Sequence, residues 1–187
     1  MTCRLHIVGA AGSGTSTLGK AVAEKLDIKY FDTDDFEWVP TNPPYRQSRP
    51  LDERRDMLIK AIGGLDGWVL SGSLIEWGES FIPLFDAVIF LYAPAEIRVA
   101  RLLRRETETF GEAAVAPGGY RHEETRSFLD WAAAYDSGEC EGRSLTKHTA
   151  WLATVPCPVL QFDATRPVGA LLAEIISHVD VLCQERH

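Results

Sequence analysis

The stretch of this chain best suited to chemistry is Gly9-Ala10-Ala11-Gly12-Ser13-Gly14-Thr15-Ser16-Thr17. It follows an apolar run and precedes a helical one. Glycines let a backbone curl until successive amide N–H groups face a common centre, which makes a cradle for a polyphosphate. A helix starting at Thr15 adds further N–H donors and a positive dipole end. Ser16 falls where the phosphate-loop pattern GxxxxGK[ST] puts a Mg²⁺-binding hydroxyl. The lysine of that pattern is replaced here by Thr15. Lys20 is no substitute, because five positions along a helix carry it about 7.5 Å up and about 140° around. Another cation must meet the transferring charge, or the site binds without efficient transfer. The plainer reading is a glycine-rich turn with no ligand. The strand–loop–helix setting and the hydroxyl residues at the helix start argue against it.

Asp32-Thr33-Asp34-Asp35 follows the second strand-like run. In a parallel α/β sheet, ligands sit beyond the carboxyl ends of the strands, so this cluster and the glycine loop belong on one edge. Crowded carboxylates are costly unless a metal or a hydrogen-bonding substrate compensates them. One could hold Mg²⁺ through water, and another could take a proton from an acceptor hydroxyl. The alternative is a helix N-cap and a solvated acidic turn.

Arg98, Arg101 and Arg105 are spaced i, i+3 and i+7, which puts them on one helix face with Arg104 alongside. Guanidinium forks suit phosphate oxygens and stack on bases. With the lysine gone, these arginines lead as the source of positive charge. The competing view is a solvated basic face paired with Glu96, Glu106 and Glu108. His6 is expected to be structural within a buried strand, and the spacing gives His122 and His148 no role.

The elements that must position these groups alternate. Strands are expected over Arg4–Val8, Lys29–Phe31, Trp68–Leu70, Ala87–Leu91 and Val159–Phe162. Helical periods run over Thr15–Leu26, around Leu58–Leu65, from Pro94 to about Phe110, around Phe128–Tyr135, and from about Pro167 to Leu182. Ala87–Leu91 is apolar throughout, as a strand covered on both faces should be. Alternation of this kind predicts right-handed crossovers and a five-stranded parallel sheet in a three-layer α/β/α fold, spanning residues 1–187 as a single domain. Two segments interrupt it. One, about 32–54, is rich in proline and charge, and its Trp38–Arg49 portion could wall an acceptor pocket. The other, about 106–126, contains Gly111–Arg126 with Pro117-Gly118-Gly119 and reads as a lid.

The 187 residues suffice for one sizeable core, and the formal net charge of −8 opposes a polyanionic partner such as nucleic acid. Cys3, Cys140, Cys157 and Cys183 lack metal-like spacing and are expected to be reduced thiols in a cytoplasmic protein. No apolar run approaches membrane-spanning length.

With these residues in view, the chain resembles the nucleoside-monophosphate-kinase-like group of P-loop kinases, which includes adenylate, shikimate and gluconate kinases. It looks most like bacterial proteins labelled adenylate kinase-like. The resemblance rests on GAAGSGTST, FDTDDFEW, WVLSGS, FDAVIFLYAP and RLLRRE. It implies the P-loop NTPase fold with a lid, and Mg²⁺ with ATP as phosphoryl donor to a small-molecule or nucleotide acceptor. By position, Asp32 and Asp34 are similar to the Asp-x-Asp of shikimate kinases, where the pair serves the metal and the acceptor hydroxyl. Gly9, Gly12, Ser13, Gly14, Thr15, Ser16 and Thr17 are then expected to hold the nucleotide, with Ser16 and Asp32 on the metal. Arg101 is expected to stack on the base and Arg105 to contact phosphate. Ser71-Gly72-Ser73 stands where adenylate kinases carry Asp-Gly-Phe-Pro-Arg, and the acidic cluster opposes an anionic nucleotide. A small hydroxylated acceptor fits better than AMP. The competing expectations are nucleotide binding with little transfer, and simple NTP hydrolysis.

Overall fold

A computed structural model of the chain describes residues 3–138 and 142–184. In chain order the elements are β1 (Arg4–Gly9), α1 (Thr15–Leu26), β2 (Lys29–Asp32), α2 (Thr33–Glu37) and α3 (Leu51–Ile62). Next come β3 (Trp68–Ser71), a 3-10 turn over Glu79–Leu84, β4 (Ala87–Tyr92), α4 (Ala95–Phe110) and α5 (Glu112–Val115). The chain closes with α6 (His122–Ala133), α7 (Leu145–Leu152), β5 (Val159–Asp163) and α8 (Val168–Gln184).

The five strands form one sheet in the order β2-β3-β1-β4-β5, and every neighbouring pair is parallel. Leu5 of β1 lies level with Val69 of β3 and Ala87 of β4. Alternate residues of these apolar strands point to opposite faces, so each face carries its own core. On one, Leu5, Ile7, Ile89 and Leu91 pack against Leu18 and Val22 of α1 and Leu171 and Ile175 of α8. On the other, Val8, Leu70, Val88 and Phe90 meet Leu58 and Ile62 of α3 together with Trp77, Phe81 and Trp151.

His6 belongs to this interior. Its Nδ1 lies 3.0 Å from the Leu70 carbonyl oxygen and its ring stacks on Phe85. Burial holds its pKa down to about 3, so it is a neutral core residue, as the strand pattern implied. Cys3 is also buried in the core, whereas Cys140 and the side chain of Cys183 lie outside the described residues. Among the described residues no helix is long and apolar enough to cross a membrane.

The two interrupting segments are more ordered than their composition implied. Residues 32–54 hold α2, then a loop closed by an isolated antiparallel bridge between Trp38 and Ser48. Arg49 N–H donates to the Glu37 carbonyl at 2.8 Å and seals its base. The segment read as a lid, about 106–126, contains α5 and leads into α6 through the turn at Gly118-Gly119.

Candidate functional site

β1 delivers the chain to Gly9 in the middle of the sheet, and the loop turns there into α1. Gly12 and Gly14 have φ of 81° and 95°, the left-handed region that favours glycine. A Cβ on Gly12 would lie 2.6 Å from the Arg98 carbonyl oxygen, so the loop rests directly on α4. Gly14 is the N-cap of α1, and no side chain caps that helix. Its first amides are therefore left to the cavity in front of them.

That cavity has a volume of about 780 Å³. Gly9, Gly12, Gly14, Thr15, Ser16, Thr17, Asp32, Asp34, Arg101 and Arg105 all line it. Among the loop residues expected to hold the nucleotide, Ser13 is the exception. It is 2% exposed, its N–H donates to the Ala10 carbonyl at 3.0 Å, and its Oγ is buried without a partner. It braces the underside of the loop.

Asp32 is the hub of the polar side. Its Oδ2 accepts from Ser16 Oγ at 2.7 Å, Tyr30 Oη at 2.8 Å and Ser71 Oγ at 3.2 Å. Its Oδ1 accepts from the Asp34 amide at 3.2 Å and caps α2. Asp32 is the N-cap of α2, and its other carboxylate oxygen faces the loop hydroxyl of Ser16. Burial raises the Tyr30 phenol above its ordinary range, so that group remains a donor. Asp34 sits in the first turn of α2. Its pKa is raised chiefly by desolvation and then by the Asp32 charge, against smaller pulls downward from Arg143 and Arg105. A half-buried carboxylate of this kind is more basic than a solvated one, which suits proton abstraction.

The arginines divide. Arg101 Nη1 lies 3.5 Å from the Gly12 carbonyl oxygen and its Nη2 donates to the Ala164 carbonyl at 2.9 Å, which places it at the rim of the loop. Arg105 is mostly exposed, 5.8 Å from the centroid of Phe128. Arg98 departs from the shared face that its spacing implied. It is fully buried, donates to the carbonyls of Ala93 and Ala132, and pairs with Asp136 at 2.9 Å. Its position one turn before Arg101 points it under α6 and away from ligand. Lys20 lies 5.7 Å from the Tyr30 ring centroid and does not line the cavity, consistent with its displacement around α1.

Arg46, Arg121 and Arg143 also line the cavity and had no assigned role in the sequence reading. Arg121 Nη2 pairs with Glu106 at 3.3 Å and its guanidinium lies 4.1 Å from the Phe110 ring centroid. Glu124 joins both Arg121 and Arg46. A chain of charges thus runs Glu106–Arg121–Glu124–Arg46 from the lid to the proline-rich segment. Only Arg121 and Glu124 share a local i, i+3 spacing; Arg46 lies 78 positions from Glu124, and no window of sequence links them. The one sequence signal was the placement of both segments as covers. The cavity's aromatic wall, Phe128 and Trp131, lies within the helical period expected around Phe128–Tyr135; the rings stack at 5.9 Å and 18°.

Residues 6–124 match the family described as an AAA domain. The chain is 36% identical to the uncharacterized protein YqaC of Bacillus subtilis over 179 residues, which is 96% of this chain and 98% of that protein. It is 29% identical to the cytidylate kinase of Archaeoglobus fulgidus over 114 residues, 55% of this chain and 62% of that kinase, so this second likeness spans less than two thirds of the enzyme. Among solved structures, the shikimate kinase from Bacteroides thetaiotaomicron superposes with a TM-score of 0.56 at 17% identity, over 95% of this chain and 98% of that one. That likeness concerns the fold alone.

Proposed function

The chain belongs to the family described as an AAA domain, a P-loop kinase-like group, and from that membership and its site we propose that it transfers the γ-phosphoryl group of ATP to a small hydroxylated acceptor. The observation that carries this reading is the meeting, in one cavity, of the glycine loop, the Ser16–Asp32 pair and the more basic Asp34.

The residues fit a nucleotide with its metal. The uncapped start of α1 offers amides to the phosphates. Among the described residues there is no cluster of three or more His, Cys, Asp or Glu side chains that could hold a metal. Mg²⁺ needs none, since it is commonly held by one or two protein oxygens and the substrate's phosphates. Ser16 and Asp32 would supply those oxygens, and the ion would neutralise charge on the β- and γ-phosphates. Asp34 takes the proton of the acceptor hydroxyl as that oxygen bonds to the γ-phosphorus. The bond from γ-phosphorus to the bridging oxygen breaks, and ADP leaves with the electron pair. Arg105 meets the charge that the lysine of the pattern would have met, and Arg101, at the rim of the loop, is placed to stack on the base. A screen of acceptors with γ-labelled ATP tests this reading. If no acceptor turns over, or if Asp34→Asn leaves turnover unchanged, it fails.

Thr15 supports a second reading, in which nucleotide binds and transfer is slow. Tight ATP binding by calorimetry without turnover, together with activity created by Thr15→Lys, would establish it. Steady phosphate release that no acceptor accelerates would mark simple hydrolysis.

A further inference from the structure

α4 packs against α6, and arginine–aromatic contacts join α4 to the stretch from Arg121 to Tyr135. The Arg98 guanidinium lies 5.0 Å from the Tyr135 ring centroid, Arg105 lies 5.8 Å from Phe128, and Arg121 lies 4.1 Å from Phe110. The order 98, 105, 110 against 135, 128, 121 is that of an antiparallel pair. The outer contacts are clamped by other bonds. Arg98 donates to two carbonyls and Asp136, and Arg121 donates to Glu106 and Glu124. The middle contact differs. The Arg105 side chain is 58% exposed and its ion pair with Glu106 is stretched to 4.0 Å. Among the described residues its guanidinium donates no hydrogen bond.

A carboxylate and a ring hold a guanidinium in different ways. A carboxylate takes the in-plane N–H fork that would otherwise bind phosphate. A ring attracts the flat face and leaves the fork open. Phe128 can therefore fix the position of Arg105 without competing for its donors.

The ring is itself backed. Trp131 stacks on Phe128 at 5.9 Å and 18°, and Arg143 lies 5.7 Å from the Trp131 centroid. The column runs Arg105–Phe128–Trp131–Arg143, with a cation at each end. All of its members line the large cavity, and both cations act electrostatically on Asp34. An unsupported arginine must give up much rotamer freedom when it meets developing charge, and a preorganised donor avoids that loss. We infer that Phe128 is a positioning residue for phosphoryl transfer: backed by Trp131, it holds the Arg105 guanidinium at the cavity while leaving the N–H fork free for the transferring group. This rests on the kinase reading above, which assigns that charge to Arg105.

Tests on the full chain need no acceptor. In NMR with isotope-labelled arginine, ring currents should move the Arg105 Cδ protons upfield of those of Arg104, which pairs with Glu108 in solvent. Phe128→Leu should abolish that displacement and Phe128→Tyr should keep it. Calorimetry then compares Mg²⁺·ADP alone with Mg²⁺·ADP plus aluminium fluoride, a mimic of the transferring phosphoryl group. Fluoride should tighten binding to the wild type. Phe128→Leu should lose about three- to fivefold of that gain, with affinity for Mg²⁺·ADP alone unchanged. Phe128→Tyr should retain the gain, and in an Arg105→Ala background Phe128→Leu should lose nothing further. Arg105 protons without an upfield displacement in the wild type would overturn the inference, whether or not the variants fold. A Phe128→Leu loss that persists in the absence of Arg105 would overturn it too. A Phe128-dependent displacement with no gain from fluoride in the wild type would support the positioning and sink the kinase reading.

Discussion

Arg46 and Glu124, 78 positions apart in sequence, are joined by a hydrogen-bonded ion pair that ties the proline-rich segment to the segment preceding and opening α6 at the cavity wall. Both side chains are about half exposed, at 50% and 40%, so the pair adds little to global stability, about 0–1 kcal/mol. Its leverage is local. Glu124→Gln should leave the thermal midpoint nearly unchanged while hydrogen exchange across residues 111–126 quickens. Added salt should do the same to the wild type by screening the pair. An exchange pattern indifferent to both would show that the cover is held by its other contacts.

The raised pKa of Asp34 has two consequences with opposite signs. As a base it must be ionised, so transfer should fall as pH drops through a value above the ordinary aspartate range. For folding, a carboxyl whose native pKa lies above its unfolded one favours the native state below the unfolded pKa, and that advantage is lost as pH rises through the native value. At neutral pH, Asp34→Asn should therefore abolish transfer and raise the thermal midpoint. A lowered midpoint would show that the ionised carboxylate is well compensated in the fold.

Arg105 should act on rate. Loss of a preorganised donor to transition-state charge costs about 10²–10³ in kcat. Arg105→Ala should show a drop of that order, with Arg105→Lys recovering part of it. If kcat is unaffected by Arg105→Ala, the compensating charge lies elsewhere among the cavity's arginines.

Arg98 should behave as a structural residue. Its guanidinium is fully buried, with donors committed to Ala93, Ala132 and Asp136. Removal of one partner from a buried ion pair costs about 3–5 kcal/mol. Arg98→Met should therefore lose about that much stability by urea denaturation. A loss under about 1 kcal/mol would contradict the geometry.

Acid should destabilise the protein through its buried imidazoles. Burial lowers His148 to about 4 and His6 to about 3, against an ordinary value of 6.5. Between pH 6.5 and about 4 the unfolded chain binds protons that the native one refuses, so stability falls as pH drops. Each histidine contributes a limiting slope of about 1.4 kcal/mol per pH unit. Denaturation midpoints measured across that window, in the wild type and in His148→Gln, check the sign and the size.

The frame of the molecule was legible because its signals are local. Strand positions followed from apolar runs, and α1 was placed at Thr15–Leu26 by the spacing of Leu18, Val22 and Leu26. The glycine loop announced itself by residues that tolerate positive φ. α2 was missed because Asp32 serves two purposes, and an N-cap followed by more acid reads equally as an open turn. α7, capped by Ser144 through the Lys147 amide, was passed over since its eight residues carry a weak period. Arg98 was grouped with Arg101 because spacing reports a side of the helix and not its depth. Trp131, Arg121 and Arg143 reach the cavity only through the long-range docking of α6 and the segment beyond it, which no window of sequence contains.

The bare start of α1 at Gly14 has a further consequence. A helix end that no side chain closes is a standing deficit, and a bound polyphosphate would erase it. Ligand present at a hundred times its dissociation constant adds about 2.7 kcal/mol to the native state. At low ligand concentration that increment is lost, so the thermal midpoint would track the polyphosphate concentration.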